Sequence, residues 1–137
     1  MSKKLDLEAY SGLWYEVGRK NAWFEVGCAG ATAYYTVIPQ GLSVLNTCLG
    51  PNGQALRQIK GIATPTAKPL VFNIKFETGQ TGIYRILYTD YQYFSIVGDV
   101  KTQYLSILSR KRMITDSEQI LLTKIVKDLG FTGVEWL

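Results

Sequence analysis

The chain has 137 residues, 47% apolar and 19% charged, with fifteen Lys+Arg against eleven Asp+Glu. That is globular composition for one domain, with no apolar run near the ~18 residues of a membrane-spanning helix and no basic stripe of the kind that tracks nucleic acid. It contains no histidine, which removes Ser-His and Cys-His nucleophile pairs, a His general base and His-ligated metal or haem.

The N-terminus, Met-Ser-Lys-Lys-Leu-Asp-Leu, carries no apolar segment of signal-peptide length. As written it fits the cytoplasm, or a secreted or periplasmic protein whose leader has been removed. Aromatic and β-branched residues then dominate from Trp14 to Leu108. Turn signals punctuate this stretch at Pro39-Gln40-Gly41, Gly50-Pro51-Asn52-Gly53, Pro65 to Pro69, Glu77-Thr78-Gly79-Gln80, Thr89-Asp90 and Gly98-Asp99. The spacing predicts eight short antiparallel strands, at 13–20, 30–38, 42–49, 55–64, 70–77, 82–89, 93–98 and 103–110. Thr115-Asp116-Ser117-Glu118 has the form of a capping box. Behind it Ile120, Leu121, Leu122, Ile125, Val126 and Leu129 recur at helical spacing, and Gly130 supplies a stop. This predicts a helix over about 116–129 whose apolar stripe lies against a sheet, followed by a short strand at Val134 to Trp136. Eight strands and one helix fit an all-β, eight-stranded up-and-down barrel over about 12–110, with the helix packed outside and room for one small ligand.

Three short motifs stand at defined places in that scheme. Gly12-Leu13-Trp14 opens the first strand, Thr89-Asp90-Tyr91 forms the turn after the sixth, and Arg110 ends the eighth. Together, in this order, they make the whole chain resemble the lipocalins. Leu13 to Val17, Val44-Leu45-Asn46, Gly61 to Pro65, Tyr84 to Tyr91 and Leu105 to Arg110 are similar to the branch of apolipoprotein D, the bacterial lipocalins and the plant temperature-induced lipocalins. The resemblance implies that Arg110 stacks on Trp14 across the closed end of the barrel, with Gly12 and Thr89-Asp90-Tyr91 beside it in structural roles. It further implies a fatty acid, lysophospholipid, retinoid, steroid or bilin as ligand, and frequent association with membranes. This chain departs from the branch at Ser106, where a bulky Trp is common; a small residue there enlarges or polarises the interior. Its two cysteines also do not match the usual long-range disulfides.

Alternation within the strands predicts which side chains face in. Phe72 and Ile74 alternate with Asn73 and Lys75; Tyr84, Ile86 and Tyr88 alternate with Arg85. Because Arg110 must turn inward to meet Trp14, Leu108 and Ser106 also face in, with Tyr104 beyond them. Ile59, Gly61 and Ala63 face in from the fourth strand, leaving Lys60 outside. Resemblance to apolipoprotein D adds Tyr35 and Asn46, and parity then adds Ala33 and Val44. The expected wall is apolar and aromatic with a few polar handles, suited to an apolar ligand with one polar end. Trp23 and Phe24 fall in the first loop, at the open end of the barrel. They suit a lid, a buried support or a membrane anchor. Lys20 and Lys101 are expected near the same rim, where they would suit a ligand carboxylate or phosphate.

Cys28 and Cys48 are left open, as a disulfide or as two thiols. A hairpin centred on Gln40 pairs Cys48 with a residue near Ala31, leaving Cys28 about 10 Å away in a flat ladder. Only a bulge or a bend in the first loop brings the two together. The reading is therefore of a carrier or store for a small hydrophobic ligand, not an enzyme, with no cofactor, no metal and no nucleic-acid partner. The alternatives are a membrane- or protein-interaction module using Trp23, Phe24 and a basic face, or a lipocalin-type isomerase or synthase with Cys48 as nucleophile and Tyr35 or Tyr84 as proton donor.

Overall fold

The computed structural model describes residues 4–21 and 27–137. A short helix α1 (Leu7–Tyr10) leads into β1 (Gly12–Lys20), β2 (Gly30–Ile38), β3 (Gly41–Leu49), β4 (Ala55–Pro65), β5 (Val71–Phe76), β6 (Thr81–Thr89), β7 (Phe94–Asp99) and β8 (Tyr104–Ser109). Helix α2 (Asp116–Asp128) and a two-residue strand β9 (Glu135–Trp136) complete the chain. Each strand from β1 to β8 pairs antiparallel with the next, and β8 pairs with β1, which closes an eight-stranded barrel. Closure pairs the edges an open sheet of these strands would leave free, and the part of β1 beyond its pairing with β2 is covered by β9. Residues 27–29 and the loops at 50–54, 77–80 and 100–103 gather at the open end, with the remaining hairpins and α1 at the other.

Two β-bulges decide which residues face in. In β1, Glu16 lies opposite Leu108 and Gly18 opposite Ile107, so Val17 is an extra residue. Val17 packs outside, and a Cβ on Gly18 would meet the Ile107 Cδ1 and the Trp136 ring at 3.1 Å, also outside. Parity is thereby reset, and Arg19 returns to the inner face opposite Ser106. Glu16 and Arg19, three residues apart, both face the interior for this reason. The upper half of β1 also exchanges partners along one edge: Gly12 to Tyr15 pair with β2, while Gly18 and Arg19 pair with β9.

The second bulge lies in β6, between Ile86 (opposite Val97) and Tyr88 (opposite Ile96). Leu87 and Tyr88 both turn outward against the layer under α2. This corrects the expectation for Tyr88, which simple alternation from Tyr84 and Ile86 turned inward. Partial burial and the neighbouring Asp90 carboxylate raise its phenol pKa.

The core has two layers. Inside the barrel Trp14, Ala33, Tyr35, Leu42, Val44, Ala63, Phe72, Ile74, Ile86, Val97 and Leu108 pack together with Leu5 and Tyr10 from the N-terminal segment. Outside, Val17, Phe94, Ile96, Leu105 and Ile107 pack on Leu122, Val126 and Phe131. Thr115 caps α2 with the full reciprocal box: its side chain accepts from the Glu118 N–H, and the Glu118 carboxylate accepts from the Thr115 N–H. At the other end the N–H groups of Gly130 and Phe131 donate to the carbonyls of Lys127 and Val126, a Schellman closure in which Gly130 takes φ 103°. Ile120 and Leu121 are not part of the buried stripe; they are 72% and 50% exposed, because the seated face is set by Leu122, Val126 and the partly buried Ile125 and Leu129.

Candidate ligand-binding site

One end of the interior is sealed. The Arg110 guanidinium lies 3.7 Å from the centroid of the Trp14 ring. Its Nε donates to the Tyr91 carbonyl, Nη1 to Leu13, and Nη2 to Ala9 and Tyr10, at 2.9 to 3.3 Å. Burial lowers its pKa, opposed by the nearby Tyr10 phenol. Trp14 Nε1 donates to the Tyr10 carbonyl, so α1, absent from the strand pattern, is the plug on which the floor rests. Tyr91 adopts φ 65° in a turn that Asp90 Oδ1 holds by accepting from the N–H groups of Tyr93 and Phe94.

Above the floor stands a tyrosine cluster. The Tyr10 and Ser95 hydroxyls share a hydrogen bond of 2.7 Å, Tyr10 and Tyr84 one of 3.3 Å, and Tyr35 and Tyr84 a further one. Burial raises all three phenol pKa values, those of Tyr35 and Tyr84 well above the ordinary range, so all three stay neutral. Rings of Tyr10, Trp14, Tyr35, Tyr84 and Phe72 meet at tilted or edge angles, with centroids 5.1 to 6.5 Å apart.

Halfway up, Glu16 faces the interior. Its side chain is 3% exposed. Oε2 accepts from the Ser106 hydroxyl at 2.6 Å, and Oε1 lies 3.8 Å from Arg19 Nη1. Arg19 also donates to the Cys28 carbonyl at 3.0 Å and pairs with Glu135 at 3.3 Å. Sequence reading passed over both residues. The signal was present in the two-residue step from Trp14 to Glu16, but a charged residue in an amphipathic strand is ordinarily placed outside.

The open end is tied by a disulfide. Cys28 and Cys48 are bonded, with Cα atoms 5.4 Å apart. The ladder does place Ala31 opposite Cys48. Ala29 N–H extends the ladder to the Leu49 carbonyl, and with Gly27 at φ 86° the chain bends there, bringing Cys28 back over Cys48. The bond leaves no thiol for Cys48 to use as a nucleophile. Arg57, opposite Cys48 at the rim, donates to Cys28 Sγ at 3.4 Å.

Of the residues expected to line the interior, Ala33, Tyr35, Val44, Phe72, Ile74, Tyr84, Ile86 and Leu108 pack in the inner cluster. Asn46 stands opposite Ala33 and Ile59, Gly61 opposite Val44, and Ser106 opposite Val97, so these four share the inner face. Tyr88 does not. Lys20, opposite Leu105, turns outward and its Nζ donates to Gln103 Oε1, so it is not at the inner rim; Lys101 lies in the β7–β8 turn. Trp23 and Phe24 lie outside the described residues. A separate open groove of about 960 Å³ runs over the outside of β4 to β6, along Lys60, Ile62, Thr64, Asn73, Lys75 and Ile83. These are outward alternates; Gly61, Ile74 and Phe76, which belong to the inner face, also line the groove.

A family model described as a lipocalin-like domain matches residues 5–136. The chain belongs to the lipocalin family. A lipocalin of Acanthamoeba polyphaga mimivirus is 32% identical over 93% of this chain and 79% of its own length. The outer membrane lipoprotein Blc of Escherichia coli is 30% identical over 92% of this chain and 73% of its own. Among solved structures, lobster apocrustacyanin A1 superimposes with a TM-score of 0.71 at 20% identity, over 93% of this chain and 74% of its own. Insecticyanin from the tobacco hornworm Manduca sexta does so with 0.73 at 19%, over 93% and 75%. At that identity the two structures speak for the fold alone. For a lipocalin, the Trp14–Arg110 stack and the Thr89 to Tyr91 turn are the closed end of the barrel.

Proposed function

We propose that this lipocalin binds a small hydrophobic ligand inside the barrel, and carries or stores it. The observation that carries this reading is the inner wall itself. Apolar and aromatic side chains converge on one interior, sealed below by the Arg110–Trp14 floor and bordered by loops at the other end. The polar groups on that wall are localised, the Tyr10–Tyr35–Tyr84–Ser95 cluster low in the barrel and Glu16 with Ser106 and Arg19 above it, which suits an apolar molecule with a polar end. Membership of the lipocalin family supports it.

The test is native mass spectrometry of the purified protein with organic extraction of whatever accompanies it. Tryptophan-fluorescence titration with a fatty acid, a lysophospholipid, a retinoid and biliverdin follows on the same sample. A bound lipid or pigment, or one saturable micromolar titration, is the expected result. An empty protein that ignores all four ligands overturns the reading.

A further inference from the structure

We propose that Glu16 makes the middle of the barrel selective for hydrophobic ligands whose buried end brings an O–H or N–H donor, and turns away ligands that would bury a carboxylate or phosphate there. The proposal rests on the interior being the ligand site. Glu16 lies on the inner face two residues after Trp14, and the β1 bulge that follows it returns Arg19 to the same face, between the tyrosine cluster below and the disulfide above. At its level the wall is Leu108 and Val97, with Ile86 and Val44 in the same cluster. Charge interactions are strong in such surroundings because little water screens them.

Among the described residues the carboxylate meets the Ser106 hydroxyl at Oε2, and Arg19 at 3.8 Å from Oε1. An ionised carboxylate presents about four acceptor sites and no donor, so it can take a ligand's donor in addition to these. Such a charge-assisted bond is stronger than a neutral one. A second anion at the same depth meets the opposite situation. It would be repelled by Glu16, and Arg19, the nearest cation, is already engaged by Glu16, Glu135 and the Cys28 carbonyl. Ser106 contributes its hydroxyl, which donates to Oε2 and fixes the carboxylate on the inner face.

Three retinoids with one polyene separate these effects: retinol, retinyl methyl ether and retinoate, titrated into the protein with the disulfide intact. N-phenyl-1-naphthylamine, a neutral dye, reports independently on whether an apolar site exists. Retinol is expected to bind about tenfold more tightly than retinoate and severalfold more tightly than the ether, since a site built around an acceptor penalises ligands that leave it without a donor. Glu16→Gln, which keeps the shape and removes the charge, should bring retinoate to within about threefold of retinol. The wild-type order tests the proposal whether or not the variant folds. Equal binding of the three retinoids, a preference for retinoate, or an unchanged ratio in Glu16→Gln overturns it. So does dye binding without retinol binding. If the dye fails as well, the interior is no ligand site and the reading beneath the proposal falls with it.

Discussion

Replacing Arg110 removes the piece that seals the barrel, and the structure sets the size of the loss. Four carbonyls, from Ala9, Tyr10, Leu13 and Tyr91, accept from this one guanidinium, which also covers the Trp14 ring at 3.7 Å. A stacked cation contributes about 0.5–2 kcal/mol, and each hydrogen bond from a charged donor about 1.5–3 kcal/mol. The sum overstates the effect, because Arg110 sits at a half-buried edge where water can reach some of the vacated carbonyls. Arg110→Ala should therefore lower the unfolding free energy by about 3–5 kcal/mol. For a chain of this length that is a fall in melting temperature of roughly 10–17 °C. Arg110→Lys keeps the charge but has neither the planar fork nor the flat face, so it should recover less than half of the loss. Urea unfolding monitored by far-ultraviolet circular dichroism measures all three proteins. A loss below about 1 kcal/mol in Arg110→Ala, or a lysine variant as stable as the parent, would refute the floor argument.

Four further outcomes follow from contacts already described. The phenols of Tyr10, Tyr35 and Tyr84 have raised pKa values in the folded state through burial. Their stabilising contribution is therefore complete below the unfolded phenol value of about 10 and is lost as pH rises through the folded values. Melting temperature should fall steeply above about pH 10, and Tyr84→Phe should flatten that fall; a slope indifferent to the substitution would contradict the assignment. The Cys28–Cys48 bond closes a loop with a sequence separation of 20, so the double Cys→Ser variant should lose about 2–3 kcal/mol in urea unfolding. Leu122, fully buried under α2, should cost about 2–5 kcal/mol as Leu122→Ala, while Thr115→Ala, which opens the capping box, should cost about 1 kcal/mol.

The barrel was legible because its strands alternate cleanly and its turns are marked by Gly, Pro, Asn and Asp. Each expected strand lies within a residue or so of an observed one, and Thr115 caps the helix as its tetrapeptide suggests. The misplacement of Tyr88 and the oversight of Arg19 share a cause. Parity counting assumes an unbroken period of two, and each bulge inserts a residue that reverses everything beyond it. Ile86-Leu87-Tyr88 is a continuous apolar run, in which either register buries something, so the bulge that sends Tyr88 outward left no mark in the pattern. In β1, Gly18 was the better clue, since a glycine in a strand often marks a bulge or a close approach. Helix α1 was missed for a different reason. Four residues are too few to show a helical period, and Tyr10 earns its buried place through the floor rather than through its own segment. The disulfide escaped the ladder argument because Cys28 precedes the strand to which that argument applied.

The polar groups inside the barrel divide by depth, and the division separates stability from recognition. At the floor the Arg110 donors meet backbone carbonyls, and above it the phenols of Tyr10, Tyr35 and Tyr84 bond to one another and to Ser95. These groups satisfy each other when the barrel closes, so changing them alters the unfolding free energy first. Glu16 differs because its chemistry is one-sided. An ionised carboxylate only accepts, and the inner wall at its level includes the apolar Leu108 and Val97. On the proposal made above, a polar group of that kind beside apolar wall residues discriminates among ligands of similar size more sharply than contact area can. A methylene more or less in an apolar pocket changes affinity by about 1–3 kcal/mol, whereas an unmatched buried polar group is penalised more heavily. Substitutions around Val44, Phe72 and Leu108 should accordingly shift which sizes fit, and substitution at Glu16 should shift which head groups are accepted at nearly constant size.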